Sequence, residues 1–325
     1  MGDPERFVTN TMKDNSQPPL AEVKYAGGMP SGRINPYKKA FTLTLCIGVM
    51  LFLCTLPARA AKTDKVPTET EQATENQWLD TYPKKIGLTY GADVNVVGNY
   101  IWRGLYVGGL SVQGSANVGY GGLFVDVWCN AGATNWAFGG FNPEVDVSVG
   151  FSRWGFKLFV IHMCYFDGTG FFDFKNAAPG QAGNTTELRA GYKVSSKLPL
   201  SILWCTRFTS RDGYLAEDGT LQRAWSSYLE LGYDFALPYD MTLMARVGMT
   251  PWKSLYTGYE GDFAVNNIAL TLRKDWSLSA HCGLHLSADI MLNPWRITRE
   301  NIRWSASNPY DQRLNANISC GIYLK

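Results

Sequence analysis

From residue 88 onward, apolar and polar residues alternate with a period of two and never pass into a helical repeat. In the opening segment Leu88, Tyr90, Ala92, Val94, Val96, Tyr100 and Trp102 fall on one face. Thr89, Asp93, Asn95, Asn99 and Arg103 fall on the other. The alternation predicts this first strand and further ones over 110–120, 123–131, 143–152, 185–194, 199–209, 224–235, 241–250, 265–273, 278–291 and 313–323. Residues 155–166 add another, nearly all apolar, whose facing the pattern leaves open.

The connections alternate in length. Gly121-Gly122, Arg153-Trp154, Ser195–Pro199, Ala236–Asp240 and Lys274–Ser277 are tight, whereas 132–142, 167–184, 210–223, 251–264 and 292–312 are long. Residues 103–109 form a first loop of middling length. Short and long connections in alternation, with an even strand number, are the pattern of a barrel crossing an outer membrane. A soluble β-sandwich also alternates, but its strands are shorter, about 5–6 residues on average. Here most runs are longer, the apolar faces are almost free of charge, and Tyr100, Trp102, Tyr120, Trp204, Trp225, Tyr233 and Phe235 gather near strand ends, where interfacial girdles belong. The expected fold is an all-β, transmembrane, antiparallel up-and-down barrel of about 12 strands over residues 86–325.

Composition narrows the picture further. The chain has 325 residues, 14% of them aromatic, and only 18% are charged, against roughly 25% in an average soluble protein. A bundle of membrane helices is excluded by the lack of repeated long apolar runs, and disorder by the aromatic content. The net charge of +2 comes with no basic stripe, so nucleic acid is not an expected partner. Near the N-terminus, Lys38 and Lys39 precede an uncharged, mostly apolar run, Leu43–Leu56, and then Pro57 and Ala58-Arg59-Ala60. This is the form of a secretory signal with a small-x-small cleavage site at Ala58 and Ala60. Residues 1–60 are therefore read as N-terminal extension and cleaved signal, and 61–85, polar and without period, as a flexible periplasmic leader. Five of the seven cysteines follow that point, in spacings that match no metal or haem motif. No cofactor or metal is expected. His281 and His285 stand about 13 Å apart along an extended strand and cannot share an ion.

The run Asn99-Tyr100-Ile101-Trp102-Arg103-Gly104, with Gln113 following, resembles the opening signature of the TorF-type (Gcw_chp) outer-membrane porins. Glu144-Val145-Asp146, Thr186-Glu187-Leu188 and Tyr228–Tyr233 are further points of similarity. The resemblance implies a porin-like channel in the cell outer membrane of a Gram-negative bacterium. Expected partners are outer-membrane lipid, the barrel-assembly machinery and the small polar solutes or ions that would pass. The motif residues Tyr100, Trp102, Arg103 and Gly104 mark the family signature.

Read from the residues alone, the polar faces carry the candidate pore lining: Asp93, Arg103, Asp126, Glu144, Asp146, Glu187, Arg189, Arg207, Glu230, Arg246 and Asp289. So many ionisable groups are costly in a dry interior unless paired, and a watered lumen relieves that cost. Two alternatives stand beside a channel. One is a plugged barrel filled by Phe124, Trp128, Phe159 and Tyr228, acting as a structural or surface-interaction protein. The other is a lipid-hydrolysing barrel, since His285-Leu286-Ser287 puts a base and a hydroxyl on one strand face. That face is the lumenal one, and no third group is evident to orient the histidine.

Overall fold

The computed structural model describes residues 87–132, 144–165, 172, 184–209, 212–295 and 314–324. Ala58, Ala60, the leader 61–85 and most of the loops at 132–142, 167–184 and 292–312 lie outside the described residues.

In chain order the strands are β1 (Leu88–Val97), a small hairpin β2 (Tyr100–Trp102) and β3 (Leu105–Gly108), β4 (Ser111–Tyr120), β5 (Leu123–Gly132) and β6 (Glu144–Arg153). Then come β7 (Phe156–Cys164), β8 (Asn184–Lys193), β9 (Leu200–Arg207) and a second hairpin, β10 (Gly213–Leu215) and β11 (Leu221–Arg223). The last are β12 (Ser227–Leu237), β13 (Met241–Thr250), β14 (Ala264–Ser277), β15 (Cys282–Leu292) and β16 (Leu314–Leu324). Without the two hairpins, twelve of these close into one antiparallel barrel. The ring closes where β1 pairs with β16, from Ala92↔Leu324 to Val97↔Ser319. Closure gives every wall strand two partners, so no backbone edge is left to meet lipid.

Side chains divide across this wall as the period of two requires. Leu88, Tyr90, Val94 and Val96 are exposed on the outside of β1, while Asp93 and Asn95 are buried inside. On β6, Val149 is 57% exposed and Glu144, Asp146 and Ser148 are buried. β7, apolar on both faces, points Phe156, Leu158 and Val160 outward and Lys157, Phe159, Ile161 and Met163 inward. Beyond Lys157 its inner face is apolar, and Phe159, Ile161 and Met163 pack against other apolar groups inside the barrel.

Two belts of exposed aromatics mark the ends of the apolar band. Tyr90, Tyr120, Trp154, Tyr192, Phe235 and Tyr239 ring the end with the short turns. Trp204, Trp225, Trp252 and Phe263 ring the end with the long loops. There Trp204 and Trp252 lie 5.8 Å apart, and the Trp252 indole donates to the Trp225 carbonyl at 3.0 Å.

Three sequence expectations are corrected. The first strand does not run through Trp102: the wall strand ends at Val97, and Tyr100 and Trp102 turn inside instead of joining a girdle. The turn expected at Lys274–Ser277 falls after Ser277, because that polar run stays paired with β15 down to Ser277↔Gly283. Its charges are satisfied in place: Arg273 pairs with Asp275 at 2.8 Å and Lys274 donates to the Tyr239 carbonyl at 2.8 Å. The long connection 210–223 is also not plain loop, since β10 and β11 pair within it.

The division of faces predicts that Val149→Arg impairs barrel assembly, at a cost of about 2–4 kcal/mol for a lipid-facing midplane charge. Asn117→Arg, on an inward position of β4, should assemble normally. The check is the heat-dependent mobility shift of the barrel in detergent gels. Equal behaviour of the two variants would overturn the assignment of faces.

Candidate functional site

The interior is organised by the β2–β3 hairpin, which leaves the wall after Val97 and turns into the barrel. Its two-residue turn is Arg103-Gly104, with φ of 49° and 77°. Positive φ at both central positions is the sign pattern of a type I′ hairpin turn, which glycine meets freely and arginine only with support. Gly104 is fixed for a second reason: a Cβ there would lie 2.1 Å from the Asn266 carbonyl oxygen. The Asn266 and Asn293 side chains hold the turn by donating to the carbonyls of Arg103 and Gly104 at 3.1 and 3.3 Å. At the hairpin's base Asn99 is held by Asn317 and by the Ala316 carbonyl.

Arg103 crosses the lumen to β8. Its guanidinium meets both Glu187 carboxylate oxygens, at 2.8 and 2.9 Å, a bidentate pair. Glu187 also accepts from Arg189 at 2.6 Å, and Arg207 stands 3.9 Å away. Arg103 further donates to the Tyr256 hydroxyl and to Cys205. Its flat face lies 4.6 Å from the Trp102 ring and 4.7 Å from the Tyr228 ring. Around it pack Leu105, Phe159, Ile161, Met163, Leu203 and Tyr256. Glu187 is 0% and Arg103 5% exposed. Tyr256 enters from the loop between β13 and β14; burial raises its phenol far above the usual value, with Glu187 adding and Arg103 opposing, so it acts as a neutral hydroxyl. A charged cluster inside an apolar shell is stable only while its ion pairs and hydrogen bonds stay complete.

Asp93, Asp126, Glu144, Asp146, Glu187, Arg189, Arg207, Glu230, Arg246 and Asp289 all stand at inward positions of the wall. Arg103 is the exception. It belongs to the inserted hairpin and fills the lumen instead of lining it. Tyr100, from the same hairpin, donates to Glu144 at 3.0 Å and packs on Trp128.

The two halves of the lumen differ. In the long-loop half the inward side chains are buried by the hairpin. Toward the short turns Thr89, Ser115, Asn117, Asp126 and Asp275 are partly or fully exposed, so that end opens as a vestibule. At the same end, on the opposite wall, Lys193 pairs with Asp234 at 2.9 Å, and Lys157 lies over the Phe124 and Phe159 rings. Among the described residues, Asn95 Oδ1, Gln113 Oε1 and both ring nitrogens of His285 are buried without a hydrogen-bond partner.

No family model matches the chain, and no curated protein matches it in sequence. Solved structures similar to it include the KdgM porin, at TM-score 0.38 and 9% identity over 72% of this chain and 98% of that chain. The COG4313 outer membrane channel from Pseudomonas putida F1 is similar at TM-score 0.40 and 11% identity, over 75% and 97%. The outer membrane phospholipase of Salmonella typhi is similar at TM-score 0.36 and 11% identity, over 79% and 99%. These likenesses are loose, and the chain's own geometry has to decide what it does.

For the hydrolase alternative that geometry is direct. Ser287 pairs with the Ser319 hydroxyl at 2.7 Å, and His285 stacks on Tyr323, with neither ring nitrogen hydrogen-bonded among the described residues. The nucleophile–base pair that acyl transfer needs is not formed. Tyr256, Asn266 and Cys205 are the site residues that sequence reasoning missed. Only the Arg-Gly dipeptide between two short apolar runs signalled the hairpin they hold.

Glu187 is the hub of this cluster, so Glu187→Gln should cost about 3–5 kcal/mol by leaving several guanidiniums buried without their carboxylate. Arg103→Met should cost less, because Glu187 keeps Arg189. Urea unfolding in detergent micelles measures both, and the reverse order would contradict Glu187 as the hub.

Proposed function

We propose that the protein is an outer-membrane porin-like channel for passive diffusion of small polar solutes or ions, narrowed by the β2–β3 hairpin. One observation carries the reading: a closed barrel with an apolar outside holds an inside lined by charges, amides and hydroxyls, opening as a vestibule at one end. Outer-membrane lipid suits the apolar band and its two aromatic belts. The TorF-type family reading is supported by the Tyr100-x-Trp102-Arg103-Gly104 motif, whose residues build the hairpin turn and its anchor. The pore-lining role belongs to the inward acids and bases of the wall, with Arg103 as the latch of the constriction. Transport by such a pore is non-catalytic, and the barrel-assembly machinery would insert it.

The test is planar-bilayer conductance of the purified protein. The wild type should conduct weakly, and Arg103→Ala, which releases the hairpin from Glu187, should conduct severalfold more. Well-folded barrels that stay electrically silent in both forms would overturn the channel.

A further inference from the structure

The charges of the wall are sorted by side. Among the described wall residues every aspartate and glutamate stands at an inward position. The charged residues at outward positions, Arg153 and Lys274, are both basic. Lys274 is buried and donates to the Tyr239 carbonyl at 2.8 Å. Arg153 is half-buried at the end of β6, and among the described residues its guanidinium has no ion pair or hydrogen bond. It lies 4.6 Å from the centroid of the Trp154 ring.

Trp154 is 69% exposed and belongs to the belt at the short turns. With Gly155 it forms the turn between β6 and β7, at φ of 56° and 80°. Such a turn favours asparagine, aspartate or glycine at its first position. An indole there answers to the membrane boundary, where amphipathic rings gather. The same step recurs at the opposite rim. Trp225 is 52% exposed, has φ of 52°, and its carbonyl accepts from the Trp252 indole and the Ser227 hydroxyl at 3.0 and 2.9 Å. The half-buried Arg223 guanidinium stands 5.7 Å from the Trp225 ring, and its Nη1 has no hydrogen-bond partner among the described residues. Its cross-strand neighbour on the β10–β11 hairpin is Gly213, which has no side chain to cover it. The acid in electrostatic reach is Asp212, which is buried, interacts with Arg207 as well, and accepts from the Ser226 backbone N–H at 2.9 Å.

An arginine at the edge of an apolar band, set against an interfacial ring and without an acid bonded to its fork, complements an anionic oxygen at headgroup depth. Its stem covers apolar surface while the charged head reaches the boundary. The guanidinium binds phosphate through two parallel N–H···O bonds, which an ammonium cannot form. We propose that Arg153 with Trp154, and Arg223 with Trp225, are binding sites for the phosphate of membrane-lipid headgroups, one at each face of the membrane. The ring packs on the apolar part of the lipid next to the headgroup, and the guanidinium takes the phosphate. Both sites follow from the barrel's place in lipid and hold whether or not the lumen conducts.

Native mass spectrometry of the detergent-purified protein, titrated with phosphatidylglycerol, counts the lipid retained. The wild type should retain severalfold more of it than of diacylglycerol with the same chains, which lacks the phosphate. Arg153→Gln and Arg223→Gln should each lower that retention, and together they should lower it severalfold. Arg153→Lys with Arg223→Lys keeps both charges without the fork and should fall between, which also serves if the glutamine pair does not fold. Lys197→Gln removes a charge from an exposed turn at the Arg153 rim and should change nothing. Inorganic phosphate at the concentration of the lipid should not displace it. Equal retention of the two lipids, or a loss from Lys197→Gln as large as that from Arg153→Gln, would overturn the proposal. Displacement by inorganic phosphate would overturn the lipid as the occupant.

Discussion

Backbone hydrogen bonding in lipid governs this molecule. A strand in hydrocarbon has no water to satisfy its N–H and C=O groups, so every strand needs two partners and the sheet must close. The pairing of β1 with both β4 and β16 meets that demand. Once the ring closes, the period of two sends alternate side chains to two different solvents. Valine, leucine and aromatics face lipid, and acids, bases and amides share an enclosed interior.

That interior then has its own problem. A twelve-stranded barrel is wider than one that side chains of the wall fill by themselves, and narrower than the large barrels with open channels. Here the chain fills half of it with its own β2–β3 hairpin. The hairpin brings an arginine, which is costly to bury, so Glu187 and the rings of Trp102 and Tyr228 receive it. The apolar inner faces of β7 and β9 follow from the same event, since they surround the inserted turn. Thus the wall, the plug and the charge cluster are consequences of one another, and the remaining vestibule is what a solute would meet.

The sequence resemblance acquires a physical meaning in this frame. Tyr100-x-Trp102-Arg103-Gly104 encodes a turn with positive φ at both central residues, a glycine pressed against Asn266, and an arginine sandwiched between aromatic rings. Each residue of the motif has a separate steric or electrostatic duty, and together they place a constriction, not a wall strand.

How much of this was legible beforehand depends on range. Alternation at Leu88–Val97 and Glu144–Arg153, and the rhythm of short and long connections, determined the strand count, the fold class and which side chains face lipid. Those properties are local, because a pleated strand fixes facing residue by residue. The inward position of Asp93, Asp126, Glu144, Asp146, Glu187 and the basic residues followed from the same rule. Local pattern failed at Tyr100 and Trp102, whose even spacing continued the outer face of β1. Nothing in period two records that the chain turns inward after Val97, since the cause is a partner far along the sequence: Glu187 on β8, Asn266 on β14 and Tyr256 in a distant loop. The facing of β7 was undecidable for a like reason, because both of its sides are apolar and only the closed ring assigns one to lipid and the other to the plug.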